Sequence, residues 1–223
     1  NGFKKVTVFE SDKNKGLANS IISGVSQIIS EYGKVIVLED DLITSPNFLD
    51  FMNDSLDFYK DNSSIFSISG YSMDLPSLKN NNKDYYLGIR ASSWGWGAWS
   101  RSWDDIDWDV KDYNDFVNSK LLKNEFRKGG SDMSRMLANQ MSNKIDSWAI
   151  RWCYNQFTRK QYTIYPTISK VESIGFGADA THTKKTKRFD TVLDTSNQSH
   201  FIFDKTIIVN KTLIKEFKNK FSV

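Results

Sequence analysis

Apolar positions along the chain fall into two rhythms: alternation or unbroken runs, which suit strands, and recurrence every three or four residues, which suits helices. Lys5 to Phe9 alternates with β-branched residues and predicts a short strand, after which Asp12 or Asn14 can cap a helix. Leu17, Ile21, Val25, Ile28 and Ile29 recur at helical spacing, and Gly33 stands where a helix C-terminal glycine is expected. Val35-Ile36-Val37-Leu38 is then an unbroken apolar run, the composition of a strand covered on both faces. Strand, helix and strand in this order predict a parallel crossover.

A second crossover follows. Thr44-Ser45-Pro46 supplies a cap and a proline at the first helical position, and Phe48, Leu49, Met52 and Leu56 carry an apolar face. Ile65 to Ser69 and Tyr85 to Ile89 read as strands, with an asparagine-rich loop from Leu75 to Asp84 between them. Ser92 to Trp99 reads as a tryptophan-glycine loop, and Tyr113 to about Asn143 as two mostly polar helices interrupted at Gly129-Gly130. A helix from Ser147 to Lys160 and a strand from Tyr162 to Ile168 come next. Beyond Gly175 the chain turns loop-like and basic, then ends in a strand-like Ile207-Ile208-Val209 and a lysine-rich helix. The architecture expected is α/β, in one domain over residues 1–223, with 190–223 as a candidate C-terminal appendage.

Composition narrows the function classes. At 223 residues the chain is long enough to bury a core without staples, and its single cysteine, Cys153, excludes an internal disulfide framework. A lone reduced cysteine fits a cytoplasmic setting. The net charge of +3 comes from interspersed lysines and acids, so nucleic acid is not an expected partner. No run reaches the roughly 18 to 20 apolar residues of a membrane span. Seven tryptophans, several between Trp94 and Trp108, point to stacking on sugar rings or to core packing.

Candidate chemistry centres on Glu39-Asp40-Asp41, at the carboxyl end of the Val35–Leu38 run, where open α/β sheets place their ligands. Three adjacent carboxylates raise one another's pKa values unless a cation or hydrogen bonds compensate. Magnesium or manganese, held by one or two carboxylates with phosphate oxygens and water completing the shell, is the usual arrangement on nucleoside diphosphates. The alternative is a solvated loop whose acids cap the helix near Pro46.

Val35 to Phe48, with its apolar strand, Glu-Asp-Asp and then Ser-Pro-x-Phe, resembles GT-A glycosyltransferases. The nearest likeness is to the N-acetylglucosaminyltransferases that begin complex N-glycan branching, and to their bacterial sugar-transferase relatives. The resemblance runs on through the tryptophan-glycine loop, Asp146-Ser147-Trp148 and Tyr165-Pro166-Thr167-Ile168-Ser169 to His182. It implies a Rossmann-like, mostly parallel sheet flanked by helices. It also implies inverting transfer of a sugar, most simply from a uridine diphosphate sugar, to a glycan or glycoconjugate acceptor.

By this resemblance Asp41, Glu39 and His182 meet a manganese or magnesium ion, and Asp40 meets the donor. Lys15, Lys184 and Lys185 are donor-phosphate candidates, because nearby cations could neutralise charge on the departing diphosphate. For His182 the alternative is an exposed histidine in a basic loop. Asp146 would be the general base, removing the acceptor hydroxyl's proton. An N-cap also explains it, and Ser147 stands where the branching transferases carry a second aspartate, so Asp104 and Asp105 remain substitutes. Trp94, Gly95, Trp96, Gly97 and Trp148 are assigned to the sugar cleft, whereas Trp99 and Trp103, four apart, read as packing residues.

Members of the family begin with two further βα units, so residue 1 is expected to fall inside the domain and not at its start. An exposed sheet edge could then pair with a second copy. Two rival readings remain. One is a carbohydrate-binding module without turnover, which needs no intact acidic triplet. The other is a phosphohydrolase or nucleotidyltransferase, which generally needs more ligands than two histidines and one acidic cluster supply.

Overall fold

A computed structural model describes residues 2–175 and 188–221. The first helix, α1 (Leu17–Tyr32), stops at Gly33, whose left-handed φ of 73° lets its N–H bond back to Ile29 O. The chain reverses there into β1 (Lys34–Val37). A short β2 (Leu42–Thr44) leads to α2 (Phe48–Phe58), then β3 (Ile65–Ser69), β4 (Tyr85–Gly88) and β5 (Trp96–Trp99). Five helices follow: α3 (Ser100–Trp103), α4 (Tyr113–Asn118), α5 (Lys120–Phe126), α6 (Met133–Met141) and α7 (Trp148–Thr158). The chain closes with β6 (Tyr162–Pro166), β7 (Val171–Ser173) and α8 (Lys211–Lys220).

The fold is α/β, but the sheet is not mostly parallel. Its order is β1-β5-β3-β6-β4, and of the four adjacent pairings only β3 with β6 is parallel. β1, β3 and β6 nevertheless run in one direction, because β5 lies antiparallel between β1 and β3. The expectation failed because Trp96–Trp99, read as a loop, is a strand: it inserts where two parallel crossovers would have made neighbours of β1 and β3. Its Gly97 explains how. A Cβ there would stand 3.1 Å from Met52 Cε and 3.1 Å from Val35 O, tighter than side chains ordinarily pack, so glycine eases the close approach of α2 and β1.

Helices cover both faces. Strand alternation sends Val35 and Val37 toward the α1 and α7 side, and Ile36 toward the α2 and α8 side. β1 is only half-buried, since it has one strand neighbour, β5, among the described residues. Lys5–Phe9, expected as a strand, is irregular, with Val6, Val8 and Phe9 exposed. No described strand pairs with it, and an unpaired strand has no hydrogen-bonding partner to hold it. Tyr113 to Asn143 makes three helices instead of two, while α7, β4, β6 and α8 fall close to their expected spans. Residues 188–221 pack into the same core as α2 through Phe189, Phe201, Phe203, Leu213 and Phe217. Among the described residues no helix is long and apolar enough to cross a membrane.

Candidate active site

The carboxyl ends of β1 and β3 and the amino end of β5 meet at one edge of the sheet. There Gly70 N donates to Gly95 O at 2.5 Å, and Lys170 N donates to Gly70 O at 2.7 Å. Gly95 has φ 54°, and a Cβ on it would lie 2.7 Å from Val171 Cγ1. It belongs to the scaffold of the edge and does not line a cleft.

The acidic triplet sits on this edge. Leu42 N donates to Glu39 O at 3.4 Å, turning the chain out of β1 and into β2, which pairs antiparallel with β7. That pairing clamps Asp41. Ile174 N donates to Asp41 O at 2.9 Å, and Ser173 Oγ donates to Asp41 Oδ2 at 3.4 Å. Asp41 Oδ1 is buried with no hydrogen-bond partner among the described residues. A buried acceptor without a donor is costly, and a bound cation would relieve it. Burial pushes the half-buried Glu39 carboxyl up to about 6, and the Asp41 and Asp40 charges push the same way. Asp40 is exposed.

Asp41 and Glu39 therefore suit a hard divalent cation, although among the described residues no group of three His, Cys, Asp or Glu side chains is placed to hold a metal. Two carboxylates with diphosphate oxygens and water would still complete a magnesium or manganese shell. His182, Lys184 and Lys185 lie outside the described residues.

Asp146 caps a helix, but not its own. The N-cap of α7 is Ser147, whose Oγ accepts from Ile150 N at 3.3 Å. Asp146 Oδ2 instead accepts from Ala18 N at 3.3 Å, at the start of α1, where Gly16 offers no side-chain cap. The carboxylate is exposed, and its Oδ1 bonds to no described residue. Because α1 reverses directly into β1, its N-terminus returns toward the edge that carries Glu39. Lys15, one residue before Gly16, is exposed. Asp104 and Asp105 drop out as substitutes: they follow β5, whose last residue, Trp99, pairs with Lys34 at the opposite edge.

The tryptophans divide differently from the sequence reading. Trp96 is fully buried and packs at 4.4 Å from Trp152, 5.1 Å from Trp148 and 5.6 Å from Trp103, measured between ring centroids. Trp148 is also buried, so Trp96, Gly97 and Trp148 belong to the core and leave no ring face for a sugar. Strand alternation is the cause, since Trp96 points toward α7. Trp94, two residues earlier and beyond the strand end, is half-buried and meets Tyr71 and Phe189 edge-on.

Trp94 lines a cavity of about 170 Å³ whose other walls include Tyr71, Arg90, Ala149, Cys153 and Phe221. Tyr71, Arg90 and Phe221 come from three distant stretches, and no sequence spacing pointed to them. Burial pushes the Cys153 thiol up to about 11, against the pull of Arg90, which leaves it a packing residue. Ser173 and Ile174, which hold Asp41, were missed as well, although the alternation in Val171-Glu172-Ser173 was the available signal of a strand.

The chain matches no protein-family model and no curated protein.

Proposed function

We propose that the chain is the core of a metal-dependent glycosyltransferase that moves a sugar from a nucleoside diphosphate, uridine diphosphate for preference, to a glycan acceptor. The buried Asp41 Oδ1 at the tip of β1, without a partner among the described residues and beside a desolvated Glu39, carries this reading. A sugar-binding module that works without a metal has no use for such an oxygen. The finer assignment to the GT-A class belongs to the same proposal. It draws support from helices on both faces of the sheet and from three strands that run one way toward the acidic edge.

Asp41 and Glu39 would hold a manganese or magnesium ion, which when bound neutralises the diphosphate leaving group. Lys15 adds a second positive charge at the N-terminus of α1, where anions are favoured. Asp146 uses one oxygen to cap α1 and keeps the other for the acceptor. As the acceptor oxygen bonds to the anomeric carbon, the carbon–phosphate oxygen bond breaks, and its electron pair leaves with the nucleoside diphosphate. The acceptor proton passes to Asp146, and attack from the face opposite the leaving group inverts the anomeric centre.

Calorimetric titration with uridine diphosphate, with and without manganese, tests the reading on the wild type and on Asp41→Ala. Binding that requires manganese and disappears in the variant is expected. Metal-independent binding that survives Asp41→Ala sinks the proposal.

A further inference from the structure

The stretch from Ser119 to Met136 holds five cations and two acids, and both acids are already engaged. Glu125 pairs with Lys128 at 2.5 Å, and Asp132 holds Arg90 through two bonds of 2.8 and 3.1 Å. Lys120, Lys123, Arg127 and Arg135 have no carboxylate partner among the described residues. These four line one concavity together with the hydroxyls of Ser131 and Ser134. Lys123 is steadied by donating to Val117 O at 2.7 Å. Asp132, the one acid in the wall, has its charge cancelled by the bidentate Arg90.

This concavity adjoins the Trp94 cavity across a single ion pair. Arg90 lines the cavity and Asp132 the concavity, while the consecutive residues Arg135 and Met136 of α6 face one into each. Ser131, in the basic wall, donates to the carbonyl of Phe221, which lines the cavity. A neutral, aromatic-walled cavity beside a cluster of cations that lack carboxylate partners among the described residues fits one extended ligand with an uncharged ring and an anionic group.

We infer that the concavity between α5 and α6 binds a phosphate-bearing portion of the acceptor, whose sugar ring lies against Trp94. The identity of the ligand as acceptor rests on the transferase reading, whereas the anion site itself does not. Arginine pairs bidentately with phosphate oxygens, a directional recognition that a purely Coulombic patch lacks.

The test is a titration of ¹⁵N-labelled protein with inorganic pyrophosphate at low salt and without divalent cation. Amide shifts across residues 120–135 are expected, weakened at least tenfold in the double variant Arg127→Glu/Arg135→Glu. Both residues are exposed, so the variant's unchanged melting temperature separates lost binding from lost folding. Shifts confined to residues 15–18 and 39–41, or an unaltered affinity in the double variant, overturn the inference. Flotation with phosphatidylglycerol vesicles is the second arm: retention there with no pyrophosphate response hands the surface to a membrane and also overturns it. If pyrophosphate fills the concavity but uridine diphosphate binds without need of metal, the anion site stands and the transferase reading falls.

Discussion

Asp41 is held in place by the absence of a side chain at Gly175, where an added Cβ would collide with the Asp41 carboxylate. Gly175→Ala must therefore displace that carboxylate or the end of β7. We expect manganese-dependent uridine diphosphate binding to weaken at least tenfold while the melting temperature moves little. Calorimetry paired with thermal denaturation checks both halves, and full affinity in the variant would show that the position of Asp41 is irrelevant.

Asp146 has two separable duties. In Asp146→Asn the amide oxygen can still accept from Ala18 N, so stability should hold while transfer activity is lost. Asp146→Ala removes the cap too and should cost about 1 kcal/mol. Chemical denaturation alongside donor turnover distinguishes the two, and an active Asp146→Asn rules out the base assignment.

Lys170 and Asp194 form a buried ion pair, also bonded through Asn47 Nδ2 to Asp194 at 3.1 Å, that ties residues 188–196 to the body of the fold. Burial alone would raise the Asp194 carboxyl, but Lys170, Ser196 and Asn47 together lower it from 3.8 to about 2. The unfolded chain takes up this proton first as pH falls. The pair's stabilisation, at most about 2 kcal/mol, is thus complete well above pH 3.8 and lost as pH drops toward 2. Asp194→Ala strands a buried ammonium and should cost about 3 to 5 kcal/mol at neutral pH, with much of it recovered in Lys170→Met/Asp194→Leu. Urea denaturation across the pH range reads both effects.

Trp94 and Trp96 should respond oppositely to truncation. Trp96→Ala removes a fully buried ring and is expected to cost about 3 to 5 kcal/mol. Trp94→Ala opens the cavity wall at smaller cost, and its effect should appear as weaker acceptor binding. A Trp94→Ala variant that melts as early as Trp96→Ala would show that Trp94 is core.

Gly130 has φ 154°, and a Cβ there would meet Asp132 Oδ1 at 2.6 Å and collide with Arg90. Gly130→Ala should disturb the Arg90–Asp132 pair that divides the cavity from the basic concavity. Lower stability is expected together with altered pyrophosphate shifts at residues 131–135.

Much of the helical framework was legible because Ile21 to Ile29 and Trp148 to Thr158 carry periodicity that burial rewards, though Leu17, read as part of the same face, is exposed. Gly33 marked a real stop because the left-handed turn that ends α1 favours glycine. The direction of the sheet was not legible: Trp96-Gly97-Ala98-Trp99 has turn-like glycines, and what makes it a strand is the close approach of Met52 and Val35, a tertiary fact. The acidic triplet could be found from its place after β1, but the grip on Asp41 comes from residues more than 130 positions away. Asp146 shows the same limit. The sequence placed Asp146 as the cap of its own helix, but Ser147 caps that helix and Asp146 caps one that begins 128 residues upstream.

The Trp96, Trp103, Trp148 and Trp152 indoles sit within 6.3 Å of one another wherever their rings pair. Chromophores this close share their excited states, so the cluster should give a strong near-ultraviolet dichroic band that weakens when α7 parts from β5. The protein thus carries its own optical gauge of that interface, while Trp94, on the other side of the backbone, is free to report separately on what enters the cavity.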